Sequence, residues 1–189
     1  MNFFKTELND LIVVEPKVFN DKRGYFFESF NQKIFETQIG KKIEFIQDNQ
    51  SKTKKNVIRG LHFQTPPFAQ SKLVRVLSGK ILDVAVDLRP NSSTFKKYFS
   101  VELSSKNKKQ LFVPRGFAHG FLSLENNTIV SYKVDNFFSK KNDSGFIFND
   151  PEININWSID ESKVDLSLKD KSLSLIKDLN LNCFSNMEI

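Results

Sequence analysis

Residues 72–88 read KLVRVLSGKILDVAVDL, and this stretch decides the class of fold. The apolar residues on either side of Ser78-Gly79 alternate with polar ones or form short continuous runs, as in buried β-strands. The Ser-Gly pair is a turn signal between two segments, Lys72–Leu77 and Lys80–Leu88. The stretch therefore predicts two neighbouring β-strands.

The same pattern recurs on both sides of this stretch, interrupted by turn-forming residues. One other segment, Asn31–Ile39, is a predicted helix, because its apolar residues share one helical face and Gly40 can cap its C-terminus. Residues beyond Pro151 are expected to form turns and a few short helices. The further predicted strands are Leu11–Val18, Tyr25–Phe30, Ile43–Ser51, Val57–Gln64, Lys97–Leu103, Leu111–Val113, Gly120–Leu124 and Ile129–Val134.

About ten strands, few helices and no alternation of strands with helices predict an all-β jelly roll or sandwich. The chain has 189 residues and no internal repeat, linker or low-complexity segment, so we expect a single domain over residues 1–189. A closed or nearly closed barrel can hold a small ligand in its mouth, against inward-facing side chains. Functional residues are therefore expected at inward positions of the central strands.

The composition limits the class of partner. The formal net charge is +6 and the sequence pI is about 9.3, which favours an anionic ligand. The lysine clusters within residues 52–55 and 106–109 lack interleaved aromatic residues and a recognition helix, so no nucleic-acid partner is expected. No signal peptide and no apolar stretch of membrane-spanning length is found, which predicts a soluble cytoplasmic protein with no membrane partner. Cys183 is the only cysteine, so an intrachain disulfide is excluded.

The chain has two histidines, and each is a candidate functional residue. His62 lies in a predicted strand, where strict alternation places Gly60, His62 and Gln64 on one face. Lys72 opens the next predicted strand, and His119 lies in PRGFAHGF at residues 114–121. A lone strand histidine is often only a hydrogen-bonded core group. Charged residues on neighbouring inward positions favour a site instead, because a buried charge is costly unless it is paired or used.

The sequence lacks the residues that metal, nucleophilic and nucleotide-cofactor chemistry would require. Metal sites in β-barrels usually need two or three histidines and a carboxylate, often with His-x-His spacing, but Gln64 stands two residues after His62, so no metal is expected. There is no Gly-x-Ser-x-Gly elbow, no cysteine near a histidine, and no glycine-rich nucleotide loop. Proton transfer by His, Tyr and carboxylate groups is left, with Lys and Arg available to bind anions and no cofactor expected.

Nine segments in order resemble one family, the dTDP-4-dehydrorhamnose 3,5-epimerases, which are cupin-fold enzymes of deoxysugar synthesis. Their order and spacing over residues 10 to 170 carry the resemblance. The resemblance implies a jelly-roll or cupin β-barrel that binds a nucleotide diphosphate sugar and needs no metal or redox cofactor. The segments are DKRGYFFE (21–28), QDNQS (47–51), RGLHFQ (59–64), AQSKLVRV (69–76), DVAVDLR (83–89), PRGFAHGF (114–121), YK (132–133), NDP (149–151) and LSLKD (166–170).

The resemblance also implies roles for the matching residues. His62 is the base that removes a proton from carbon, oriented by Asp170, and Tyr132 is the acid that returns a proton from the opposite face. Lys72 steadies the negative charge on the C4 oxygen. The family forms homodimers with exchanged N-terminal strands, through which Arg23 and Glu28 reach the partner's site. The other implied binding residues are Arg59 and Lys169, near the diphosphate, and Gln47, Asn49 and His119, which line the site.

These roles agree with the chemistry of the residue types. A hydrogen beside a ketone becomes removable when a cation stabilises the enolate oxygen. Histidine has a pKa near neutral and suits the base, whereas tyrosine, with a pKa of about 10, stays protonated and can donate. The residues also allow plainer interpretations. Tyr132 can be an ordinary half-buried strand aromatic, and Lys72 and Arg59 can be surface groups with buried stems.

Three positions depart from the family's usual pattern, all near the expected site of the nucleotide base or sugar tail. Phe138 replaces a Tyr that stacks on thymine, Asp143 replaces a Glu, and Phe148 replaces a Trp. The main hypothesis is 3,5-epimerisation of dTDP-4-dehydro-6-deoxy-D-glucose to dTDP-4-dehydro-L-rhamnose. The alternatives left open are a C3-only epimerase, an epimerase of another 4-keto sugar such as a GDP-linked heptose, a keto-sugar isomerase, and a non-catalytic sugar-nucleotide-binding barrel.

Overall fold

The structure, a computed structural model, describes residues 1–187 as a set of short antiparallel strands with few helices. The helices are α1 (Gln32–Ile39) and α2 (Leu168–Lys171), with 3-10 turns at Glu161–Lys163, Ile176–Asp178 and Asn182–Phe184. The strands are β1 (Asn2–Lys5), β2 (Ile12–Glu15), β3 (Phe19–Asp21), β4 (Gly24–Phe26), β5 (Gln47–Thr53), β6 (Ile58–Gln64), β7 (Lys72–Ser78), β8 (Lys80–Asp87), β9 (Tyr98–Ser104), β10 (Gln110–Val113), β11 (Phe117–Ser123), β12 (Thr128–Val134) and β13 (Asp143–Gly145).

Two sheets form the barrel. The six-stranded sheet has the order β1-β2-β10-β7-β12-β5, and the five-stranded sheet has the order β13-β6-β11-β8-β9. Alternate residues of each sheet point into the space between them, where Val74, Val76, Ile81 and Ala85 belong to one buried cluster. The predicted all-β jelly-roll fold is confirmed. None of the helices in residues 1–187 is long and apolar enough to cross a bilayer.

The outer face of each sheet is covered by a different part of the chain. On the six-stranded sheet, Phe35 of α1 packs against Phe112 with ring centroids 5.2 Å apart. On the five-stranded sheet, residues 146–187 cover outward-facing side chains such as Leu61 and Val84. Burial of this C-terminal segment brings α2 against β6.

Most predicted elements are confirmed, with ends moved by a few residues. Helix α1 begins after Asn31, whose side chain accepts the Ile34 N–H, and ends at Gly40 with φ 77°. The strands β1, β3 and β13 were not predicted. Each has only three or four residues, and β13 reads Asp-Ser-Gly, so pairing with β6 rather than local propensity makes it a strand.

A bulge in β6 changes which of its side chains face the interior. His62 pairs with His119 of β11, but Arg59 pairs with Phe121, so three steps along β6 match two along β11. Arg59 therefore shares the inward face with His62. The expectation from strict alternation, which put Gly60 on that face, is wrong for Gly60 because the bulge interrupts the two-residue period.

Gly60 makes this bulge possible, which leads to a stability prediction. Its φ is +125°, and a Cβ built there would lie 2.5 Å from the Gly120 Cα. We expect Gly60→Ala to lower the free energy of unfolding by about 3 kcal/mol or more, measured by urea denaturation. Gly40→Ala is the control, since its φ is also positive but a Cβ there meets nothing within 4 Å. Equal losses in the two variants would contradict this account.

Candidate active site

Two adjoining cavities, each of about 490 Å³, lie between the sheets and share His62, Lys72, Tyr132 and Lys169. We call them together the cleft. Its walls come from β5, β7 and β12 of one sheet and from β6, β11 and β13 of the other, with α2 at one side. The first cavity also contains Arg59, Ser167, His119 and Asp170, and the second contains Gln47, Asn49, Phe138 and Asp143.

His62 is held by a buried carboxylate. Its Nε2 lies 2.5 Å from Oδ1 of Asp170, whose Oδ2 accepts a hydrogen bond from Ser167 Oγ at 2.8 Å. Burial raises the pKa of Asp170, but the hydrogen bonds from His62 and Ser167 outweigh burial and hold that pKa below its usual value. An ionised carboxylate at Nε2 keeps the hydrogen on that nitrogen, which leaves Nδ1 as the proton acceptor.

Lys72 places a desolvated cation in the cleft. It points inward from β7, as Val74 and Val76 do, and forms no ion pair with any residue among 1–187. Burial lowers its pKa from 10.5 to about 8, a shift that Asp83 and Asp143 oppose and Lys169 reinforces. Its N–H groups are therefore available to a negatively charged oxygen.

Tyr132 faces the cleft from the sheet opposite to His62. It lies on β12 of the six-stranded sheet, whereas His62 lies on β6 of the five-stranded sheet. Burial raises the pKa of Tyr132, helped by Asp143 and opposed by Arg59. The phenol therefore stays protonated at neutral pH and can donate a proton. The cleft therefore has a proton acceptor on one wall and a proton donor on the other.

A second histidine–carboxylate pair lies beneath the first cavity. His119 Nε2 is 2.8 Å from Oδ1 of Asp83, which is fully buried. Asp83 was not among the site residues predicted from the sequence. A usable signal was present, because Asp83 lies between Ile81 and Ala85 in the inward register of a strand that is otherwise apolar there. Among residues 1–187 no group of three or more His, Cys, Asp or Glu side chains could hold a metal ion.

The second cavity carries amides, an aromatic ring and an ion pair. Gln47 Nε2 donates to Asn49 Oδ1 at 2.8 Å, and Lys169 Nζ lies 2.5 Å from Asp143 Oδ2. Phe138 lines this cavity and is 59% exposed, so its ring is accessible to a planar ligand. On the side of the first cavity, Arg59 donates from Nε to Thr53 Oγ1 at 3.0 Å. These groups suit a ligand with a flat base and anionic groups.

Three residues named from the sequence lie outside the cleft of this chain. Arg23 is on the β3–β4 hairpin and pairs with Asp21 at 2.6 Å, while Glu28 accepts a hydrogen bond from Asn31. Neither lines a cleft cavity. Phe148 is buried in the C-terminal cluster, and its carbonyl accepts the Trp157 Nε1–H at 2.8 Å. Phe148 does not line the cleft, because its side chain packs into the core.

Comparison with known proteins gives one consistent result. The sequence model of the family described as dTDP-4-dehydrorhamnose 3,5-epimerase matches residues 5–178. A dTDP-4-dehydrorhamnose 3,5-epimerase of Shigella flexneri is 53% identical over 159 residues, which are 84% of this chain and 88% of that protein. The enzyme of the same name from Escherichia coli K12 is 48% identical over 95% of this chain and 96% of its own length.

Solved structures agree with the sequence comparison. The crystal structure of the dTDP-4-dehydrorhamnose 3,5-epimerase of Elizabethkingia anophelis NUHP1 has a TM-score of 0.91 and 49% identity, covering 94% of this chain and 97% of that one. That of a dTDP-6-deoxy-D-glucose-3,5-epimerase of Legionella pneumophila Philadelphia 1, in complex with dTDP-4-keto-L-rhamnose, has a TM-score of 0.93 and 38% identity. It covers 100% of this chain and 99% of that one.

Proposed function

Because the chain belongs to the dTDP-4-dehydrorhamnose 3,5-epimerase family, we propose that His62 and Tyr132 are the proton-transfer pair of its reaction. The reaction is 3,5-epimerisation of dTDP-4-dehydro-6-deoxy-D-glucose to dTDP-4-dehydro-L-rhamnose. One observation carries the assignment of residues: the base, tied to Asp170 at 2.5 Å, and the protonated phenol stand on opposite sheets of a single cleft. Inversion at carbon needs a proton removed on one face and returned on the other.

Each inversion proceeds as two proton transfers. His62 Nδ1 takes the proton from the carbon beside the ketone, and the electron pair of the C–H bond moves into the enolate, whose oxygen receives a hydrogen bond from the Lys72 ammonium. The enolate then takes the Tyr132 proton on the opposite face, and the C4 carbonyl forms again. His62 has gained one proton and Tyr132 has lost one. His62 must release its proton and Tyr132 regain one before the second carbon is inverted.

The remaining cleft residues bind the substrate in this proposal. Arg59 and Lys169 provide positive charge for the diphosphate, and His119 lines the sugar end of the cleft. Phe138 stacks on the nucleotide base without the hydroxyl that a tyrosine would add. Gln47, Asn49 and Asp143 line the same end of the cleft and supply polar contacts.

We propose that the active form is a homodimer in which the β3–β4 hairpin reaches the partner. The hairpin exposes Phe19, Tyr25 and Phe26, which are 53%, 58% and 70% exposed in the single chain. Large exposed apolar side chains grouped on one arm favour an interface. Exchange of the arm would carry Arg23 and Glu28 toward the other subunit's cleft. Sedimentation equilibrium is the test, and a monomer at micromolar concentration would contradict the proposal.

A cytoplasmic location is also proposed, since a nucleotide diphosphate sugar is multiply charged and does not cross a bilayer unaided. The enzyme should be found where that substrate is made. Cell fractionation that recovers the protein in the periplasm or medium would contradict this location.

The function is tested by incubating the enzyme with dTDP-4-dehydro-6-deoxy-D-glucose in deuterium oxide. Nuclear magnetic resonance should show solvent deuterium at both C3 and C5 of the product, because each inverted carbon takes its new hydrogen from an exchangeable group. Label at C3 alone would identify a 3-epimerase. If deuterium enters only a GDP-linked 4-keto heptose, the substrate is that class of sugar and not the dTDP-linked hexose. Binding of dTDP-sugar with no label at all would support the non-catalytic barrel.

Lys72 should oppose folding while serving catalysis. Its pKa in the folded protein is lowered to about 8, so at pH 7 the unfolded chain holds this proton more readily and the buried charge destabilises the fold. We expect Lys72→Met to raise the free energy of unfolding at pH 7 by about 1–3 kcal/mol and to lower turnover by about 10²-fold or more. Urea denaturation and the deuterium assay measure the two effects.

The stability gain from Lys72→Met should shrink as the pH rises from 7 toward 10, since wild-type Lys72 is then losing its charge. Lys177→Met is the matched control, because Lys177 is exposed and lies outside the cleft. A variant at position 72 that is less stable than the wild type at pH 7 would show that attraction to nearby carboxylates outweighs the cost of burying the ammonium.

A further inference from the structure

Asp83 is a fully buried carboxylate in the interior between the sheets. It lies on β8 between Ile81 and Ala85, two members of the interior apolar cluster. Its Cα partners are Phe121 of β11 and Val101 of β9. A carboxylate in such surroundings is strongly destabilising unless other groups compensate its charge. An apolar residue at position 83 would therefore be expected to give a more stable fold.

The hydrogen bonds of Asp83 leave half of the carboxylate unused. Oδ1 binds His119 Nε2 at 2.8 Å, whereas Oδ2 is buried and accepts no hydrogen bond from residues 1–187. No lysine or arginine of those residues forms an ion pair with Asp83. Asp87 is equally buried, but its carboxylate accepts hydrogen bonds from Arg89, Ser92 and Thr94. Asp83 has far fewer hydrogen-bond donors than this structural carboxylate.

Lys72, on the facing sheet, is a cation that also lacks an ion-pair partner within residues 1–187. Its ammonium points into the same interior from β7. The other charged or titratable groups that line the same cleft are His62, His119, Tyr132, Arg59, Lys169, Asp143, Asp165 and Asp170. Of the two carboxylates that act on Lys72, Asp143 is already paired with Lys169, while no lysine or arginine within residues 1–187 pairs with Asp83.

We infer that Asp83 is a positioning residue for the epimerisation: tied to His119 and kept out of contact with Lys72, it is the buried counter-charge that keeps Lys72 cationic while leaving the ammonium N–H groups free for the substrate's oxygen. A direct salt bridge would occupy those N–H groups, whereas Coulomb attraction through a poorly solvated interior acts beyond contact distance. Burial lowers the pKa of Lys72 to about 8, and Asp83 is the group that opposes this fall most strongly.

The tie to His119 has a second effect. Because Asp83 accepts the Nε2–H, His119 is held with Nδ1 as a hydrogen-bond acceptor on a ring that lines the first cavity. Asn at position 83 would keep an oxygen for this hydrogen bond and remove only the charge. The charge and the orientation of His119 can therefore be separated by one substitution.

The experiment compares the wild type with Asp83→Asn and Asp83→Ser in the full-length protein. The pKa of Lys72 is measured directly by competitive acetylation with acetic anhydride over a pH series, read by peptide mass spectrometry. We expect both neutral variants to lower the Lys72 pKa by about one unit and to shift the alkaline fall of kcat down by a similar amount. Two neutral variants are used so that one poorly folded protein does not decide the result.

Glu152→Gln is the matched control, because it removes one carboxylate charge from a surface pair with Lys96. It should leave both the Lys72 pKa and the pH profile unchanged. An unchanged Lys72 pKa in a folded neutral variant at position 83 would overturn the inference. Since the inference rests on the proposed role of Lys72, a lowered pKa with an unmoved pH profile would support the Asp83 part and contradict the catalytic role of Lys72.

Discussion

His62→Asn should abolish both epimerisation and solvent exchange at carbon, with a loss of about 10³-fold or more in turnover. Asn has no basic nitrogen, so the variant lacks the proton acceptor whose ring Asp170 orients through a 2.5 Å contact with Nε2. Asn is too short to reach Asp170 as Nε2 does, but Asp170 keeps its hydrogen bonds with Ser167, so the barrel should still fold. The measurement is deuterium incorporation into dTDP-4-dehydro-6-deoxy-D-glucose, followed separately at C3 and at C5.

Two checks make the His62 result specific. Binding of dTDP, measured by calorimetry, should stay within about threefold of the wild type, since the base does not hold the nucleotide in this proposal. The unfolding midpoint should also be close to that of the wild type. Persistent exchange at either carbon in a folded His62→Asn protein would mean that another group removes the proton, and His119 would be the next residue to test.

Tyr132→Phe should separate proton removal from inversion. The phenol is the only group that we assign to the face opposite His62, so its loss should lower formation of the inverted product by about 10²- to 10³-fold. His62 and Lys72 are untouched, and the enolate should still form. The proton that returns would then come from the His62 side, and deuterium should enter the substrate with its configuration retained.

The contrast between the two variants is the sharpest test of the opposite-sheet arrangement. His62→Asn should lose exchange and inversion together, whereas Tyr132→Phe should lose inversion and keep exchange at a rate within about tenfold of the wild type. Full inversion at both carbons by a folded Tyr132→Phe protein would remove Tyr132 from the mechanism. Inversion preserved at C3 alone would limit its role to C5.

Strand alternation predicted the inward position of His62, whereas the roles of Lys72 and Tyr132 were implied by the family resemblance. Lys72 and Tyr132 fall in the inward register of strands β7 and β12, which their own apolar neighbours reveal. Asp170 could be named only through the family resemblance, because 108 residues separate it from His62. Its place depends on burial of the C-terminal segment, and no local pattern encodes that packing.

The features that sequence reasoning missed depend on contacts between distant strands. The bulge at Gly60 exists because the backbone of β11 comes close at Gly120, and neither segment shows this alone. Strand β13 forms by pairing with Gln64 and its neighbours, although its own residues disfavour strands. Asp83 was missed for another reason. It lies in a segment that matches the family, but no function follows from a single acidic residue in an apolar strand.

The division of the cleft between two sheets has a consequence for changing the enzyme's product. In the proposed mechanism, the groups that remove hydrogen from carbon are on β6 and the C-terminal segment, and the group that returns it is on β12. Each wall can therefore be redesigned without rebuilding the other. Libraries confined to β5 and β12 should yield stereochemical variants that still activate the same C–H bonds, whereas libraries in β6 and α2 should alter which carbon is activated.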